Sequence, residues 1–127
     1  MSEPVVAREV AEIAVQDWEE LFSVTMEPDT RETVVRTIMS GRLTLDEGSE
    51  EFAYKLRRPI VLENGTKIEE MKLHEPTAGQ LRDAAKGKRE DFETTLRLIG
   101  YITGCAVMDR VGQKDLLTMA AVVGFFG

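Results

Sequence analysis

Phe52-Ala53-Tyr54-Lys55-Leu56-Arg57-Arg58-Pro59-Ile60-Val61-Leu62-Glu63-Asn64-Gly65-Thr66-Lys67-Ile68 sets the architecture of this chain. Phe52, Tyr54 and Leu56 alternate with Ala53, Lys55 and Arg57, so a strand here has one apolar and one charged face. Pro59 lacks a backbone donor and marks an edge or a bulge. Asn64-Gly65, between Ile60-Val61-Leu62 and Thr66-Lys67-Ile68, predicts a tight hairpin. Met71 and Leu73 continue its second strand. Upstream, Leu43 and Leu45 flank Thr44, and Asp46-Glu47-Gly48-Ser49 reads as a turn. The result is a small antiparallel sheet of three or four strands.

Helical spacing brackets this sheet. Residues 4 to about 23 place Val6, Val10, Ile13, Ala14, Trp18 and Leu21 on one stripe. Asp17 falls inside that stripe, as a carboxylate at its edge or as a polar contact at an interface. Asp29, with Glu32 three residues on, predicts a capped second helix carrying Val34, Val35, Ile38 and Met39. Gly41 sits where a left-handed C-terminal cap belongs. Beyond Pro76, Thr77 and Gln80 match a capping box, and Leu81, Ala84 and Ala85 continue a short helix to Gly87. A further helix spans about Glu90 to Thr103, with Phe92, Leu96, Ile99 and Ile102. After Gly112, a last helix carries Leu116, Leu117, Ala120, Val123 and Phe126.

The expected fold is therefore α+β: two N-terminal helices, the small sheet, and two to three C-terminal helices packed on one sheet face. The expected core is Leu43, Leu45, Phe52, Tyr54, Leu56, Ile60, Leu62, Ile68, Leu73, Leu81, Phe92, Leu96, Ile99 and Leu117.

Composition narrows the class. A chain of 127 residues, 43% hydrophobic and 31% charged, is globular and long enough to bury a core without disulfides. The one cysteine, Cys105, cannot form an internal bridge, which fits a reducing compartment. No apolar run reaches membrane-spanning length, and Met1-Ser2-Glu3-Pro4 lacks a signal peptide's basic region. A net charge of -7 argues against bulk nucleic-acid binding. The charge is uneven: residues 1–50 carry 12 acidic and 4 basic side chains, residues 51–127 carry 11 and 12. This separates an acidic helical extension, 1–50, from a near-neutral unit, 51–127.

No catalytic constellation emerges. His74 is the only histidine, and Glu75, its neighbour, would point to the opposite strand face. One histidine and one distant cysteine make no metal site, and no serine has a nucleophile-elbow context. Gly100 and Gly104 read as close helix packing. The basic clusters Lys55, Arg57, Arg58 and Lys86, Lys88, Arg89 are solvated faces, or they dock on an acidic surface such as the N-terminal segment of another copy. The apolar run Met119 to Phe126 must be buried, in its own core or against another chain. The expected partner-binding residues are Trp18, Leu21, Phe22, Val123, Phe125 and Phe126. On that reading, Trp18→Ala and Phe125→Ala keep the thermal transition. Neither catalytic residues, nor a cofactor, nor a metal is expected.

Arg57-Arg58-Pro59-Ile60, the Asn64-Gly65 turn, Glu75-Pro76-Thr77, Thr95-Leu96-Arg97-Leu98 and the apolar terminus occur in an order that resembles the small tail assembly chaperones of long-tailed bacteriophages, the family with Mu-like and P2-like members. The resemblance covers roughly residues 52–127 and leaves residues 1–50 as an extension. It implies a non-enzymatic chaperone that coats the tape-measure protein in the host cytoplasm while tail tube assembles, and that is absent from the finished particle. It implies the tape-measure protein as partner, with tube subunits and further copies of the chain as others, and neither nucleic acid nor membrane. The alternative is a structural or adaptor component retained in a phage or phage-derived particle. The resemblance also implies a second, longer form made by backward ribosomal slippage. Gly124-Phe125-Phe126 can encode the heptamer U-UUU-UUC, and a UUC codon at Phe125 would remove it.

Overall fold

The computed structural model describes residues 5–86 and 91–127. The expected helix start at Pro4, the stop at Gly87, the start at Glu90, and Lys88 and Arg89 of the second basic cluster lie outside them. The order is α1 (Arg8–Phe22), α2 (Pro28–Met39), β1 (Leu43–Asp46), β2 (Glu51–Val61), β3 (Lys67–Leu73), α3 (Ala78–Ala84), α4 (Asp91–Thr103) and α5 (Gln113–Val123). Short 3-10 turns at Met108–Arg110 and Gly124–Phe126 flank α5. This is the expected α+β order.

The sheet runs β1-β2-β3, antiparallel throughout, with Leu43 opposite Tyr54 and Phe52 opposite Leu73. Gly65, at φ +84°, makes the β2–β3 turn, and Asn64 Oδ1 accepts from the Thr66 N–H at 2.9 Å. The β2–β3 register shifts between Lys55 and Ile60, so Pro59 marks a bulge. Alternation puts Leu43, Phe52, Tyr54, Leu56, Ile60, Met71 and Leu73 inside.

α1 buries part of the stripe its spacing suggests: Trp18 is in the core and Val6 and Ala14 pack against it. Ala11, Val15 and Trp18 face inward, whereas Val10, Ile13 and Leu21 are exposed. Both sets recur at helical spacing; Ala11 and Val15 join the buried cluster that holds Val34, Val35 and Ile38 of α2. Asp29 does not cap α2: Pro28 occupies the first turn and Glu27 is the N-cap. Glu32 instead receives Arg8 and Arg36, and Arg8 also bonds Glu12 at 3.0 Å. The Arg8 and Arg36 hydrogen bonds hold the Glu32 carboxyl below its ordinary range. Gly41, at φ +77°, closes α2 as expected.

Thr77 and Gln80 form a full capping box, with bonds of 3.0 and 3.1 Å. Thr77→Ala removes it. The expected loss is about 1 kcal/mol, read as a lower denaturation midpoint with an unchanged slope.

One buried cluster joins both halves of the chain: Ala11, Val15, Trp18, Val34, Val35 and Ile38 from the extension pack with Phe52, Ile99, Met119, Val122 and Phe125. Leu81, Phe92 and Leu117, expected in the core, are exposed. α3 fully buries only Ala84, Phe92 sits in the first turn of α4, and α5 turns Leu116, Met119 and Val122 inward rather than Leu117. Leu45, Leu62, Ile68 and Leu96 pack at the core's edge. Among the described residues, no helix is long and apolar enough to cross a membrane.

Candidate protein-interaction site

The six expected partner-binding residues do not form one open surface. Trp18 and Phe125 are buried, Phe22, Val123 and Phe126 are half-buried, and Leu21 is 44% exposed. Trp18 meets Phe52 edge-on at 5.2 Å and Phe125 at 5.8 Å; Phe125 stacks on Phe52 at 5.4 Å. Phe22 touches Phe52, Phe125 and Phe126. These aromatics find their partners within the chain, which is the core reading of the C-terminal run.

The region holds a buried carboxylate that sequence spacing did not single out. Asp115, in the first turn of α5, is 1% exposed. It accepts from Tyr54 Oη at 2.5 Å, from the Arg57 N–H at 2.9 Å and from the Arg58 N–H at 3.1 Å. The bulge at Pro59 explains this set: it frees those two amides from the ladder, and a buried amide needs an acceptor. Burial, then the Asp115 bond, pushes the Tyr54 phenol above its ordinary range. The signal available in sequence was Arg57-Arg58-Pro59 itself, since a bulge leaves amides to be satisfied.

Two concavities open on the surface. A groove of about 640 Å³ runs along α4, lined by Leu96, Gly100, Tyr101, Gly104, Cys105 and Met108, with Glu93, Arg97 and Asp109 at its rim. Gly100 has a packing role: a Cβ there would lie 3.0 Å from Met108 Cγ. Gly104, at φ +70°, ends α4 instead. A cleft of about 370 Å³ lies at the start of α5, between Arg57, Arg58, Gly112, Gln113, Lys114 and Asp115.

His74 Nδ1 lies 3.0 Å from the Glu75 carbonyl oxygen, a local contact. Among the described residues, no cluster of three or more His, Cys, Asp or Glu could hold a metal.

No curated protein and no solved structure matches the chain. A family model described as phage tail assembly chaperone proteins, E, or 41 or 14, matches residues 53–126. The match starts in β2 and takes in β3, α3, α4 and α5, including both concavities, and leaves α1, α2 and β1 outside it. With more than half its length matched, this chain belongs to the phage tail assembly chaperone family.

Proposed function

We propose that the chain masks a tape-measure protein in the bacterial cytoplasm until tail tube encloses it, and then leaves the particle. The family match carries this reading. A tape measure is long, helical and apolar, and its bare surface aggregates. A small acidic protein bound reversibly along it keeps it soluble. The α4 groove is the surface we assign to the client. It lies inside the matched stretch, and a helix can lay an apolar face along it between charged rims. Tube subunits are the second partner we assign, recruited as masking copies are displaced.

Affinity capture from the native host tests the reading: a tape-measure-like protein should co-purify with the wild-type chain. Tyr101→Arg, at an exposed residue of the groove lining, should lower that capture without moving the thermal transition. Mass spectrometry of purified particles separates the two fates. Stoichiometric chain in finished particles would overturn masking and favour a retained structural component.

A further inference from the structure

Helical spacing sets Asp17 within an apolar stripe, and the folded chain leaves part of that stripe uncovered. Val10, Ile13 and Leu21 are exposed on α1, on the side away from the buried Ala11 and Val15. Asp17 stands four residues after Ile13 and four before Leu21, so it interrupts their row. The acidic side chains of α1 divide into two groups. Glu12 pairs with Arg8 at 3.0 Å and Glu19 with Arg31 at 3.2 Å, and both belong to the network that ties α1 to α2. Glu9, Asp17 and Glu20 are exposed and make no salt bridge with any described residue. Three apolar side chains and three carboxylates therefore share one outward face. None of the residues that line the α4 groove belongs to α1, so occupying one surface leaves the other open.

We propose that this face of α1 docks a basic amphipathic helix of a different protein, with an arginine or lysine of that helix set against Asp17. Charge selects the occupant. A wholly apolar helix would cover Asp17 and leave its carboxylate desolvated and unpaired. An acidic helix, a second α1 face included, would set carboxylates against Glu9, Asp17 and Glu20. A helix with apolar residues at three- and four-residue spacing, one cation among them and more along its flanks, satisfies all six side chains. A polar residue inside an apolar seam fixes the register of a helix pair at some cost in affinity, and Asp17 holds that position here. The face from Glu9 to Leu21 is roughly 18 Å long at 1.5 Å per residue, room for about three turns of the partner. It lies wholly outside the stretch that matches the family, so the proposal does not depend on the client assigned to the α4 groove.

Titration of the isotope-labelled full chain with a synthetic peptide tests it, read by amide shifts. The peptide is about 20 residues, long enough to hold a helix. It carries leucines in its seam, one central arginine among them, and lysines on its flanks. It should bind one to one, with the shifts centred on α1. A version with glutamate in place of the central arginine should bind about tenfold more weakly, the scale of one charge pair reversed in an interface. Asp17→Lys should invert that preference, losing the arginine peptide and gaining the glutamate one. Ile13→Ser should weaken binding of the arginine peptide without moving the thermal transition, and Tyr101→Arg in the α4 groove should leave it unchanged. If Asp17→Lys does not fold, Asp17→Asn takes its place and should level the two peptides. Absence of binding at low salt, equal binding of both peptides by wild type, a preference that survives the Asp17 change, or indifference to Ile13→Ser would each overturn the proposal. Shifts centred on the α4 groove would overturn it too. Self-association of the peptide-free chain that Ile13→Ser abolishes would assign the face to a second copy and overturn it as well.

Discussion

Phe125→Ala should lower stability by about 3–5 kcal/mol, the cost of truncating a buried aromatic. In a domain of this size that is a fall in Tm on the order of 10–20 °C. Phe125 is 1% exposed and packs against Trp18, Phe52 and Phe22. Its loss opens a cavity where the extension, β2 and the C-terminus meet. Trp18→Ala acts on the same cluster and should cost a similar amount. The two losses should not add, because each variant already removes the Trp18–Phe125 contact. Leu21→Ala, one turn along α1 but 44% exposed, should stay within about 0.5 kcal/mol of wild type. Chemical denaturation of the three variants and the double variant checks this. The sequence-level expectation of unchanged transitions for Trp18→Ala and Phe125→Ala is the opposite outcome; observing it would return these aromatics to an interface role.

The reason for that reversal is general to amphipathic helices. α1 carries apolar residues on more than one side, and period alone joins Trp18 to Val10, Ile13 and Leu21 as readily as to Ala11 and Val15. Only the neighbours decide: Ala11 and Val15 join the buried cluster with α2 residues, and Trp18 packs on Phe52 and Phe125. Strand residues leave less freedom. Phe52, Tyr54 and Leu56 alternate with charged or small residues, and Asn64-Gly65 admits few turns, so the hairpin and its buried face were legible. Thr77 with Gln80 was legible for a similar reason: both bonds are local, three residues apart. Asp29 with Glu32 shows the same pattern and fails, because Pro28 takes the first helical position and Arg8 and Arg36 claim Glu32. The concavities were not legible. The α4 groove joins helix residues to Cys105 and Met108 beyond its end, and the α5 cleft joins residues more than fifty positions apart. Long-range juxtaposition of that kind has no local signature.

Asp115→Ala should be the most damaging polar change in the chain, with an expected loss on the order of 3–5 kcal/mol. It strips the acceptor from Tyr54 Oη and from the Arg57 and Arg58 amides together, and each buried donor left alone costs about 1–3 kcal/mol, less where water can reach it. Asp115→Asn keeps the shape but turns an N–H₂ group toward one of those donors, so it should lose less than alanine and still clearly destabilise. Tyr54→Phe removes one donor and leaves the two amide bonds, at a cost of about 1–2 kcal/mol. The pair should therefore couple: Asp115→Asn costs less in a Tyr54→Phe background than in wild type. Tyr54 adds a pH signature. Its phenol is raised above the ordinary value by burial and by Asp115, so the folded state favours the neutral form. The stability this contributes is complete below the ordinary tyrosine pKa of about 10 and is lost as pH rises beyond it. Wild type should lose Tm more steeply than Tyr54→Phe above that pH and in parallel with it below. Parallel curves across the whole range, together with an Asp115→Ala transition equal to wild type, would mean that this carboxylate does not hold the β2 bulge to α5.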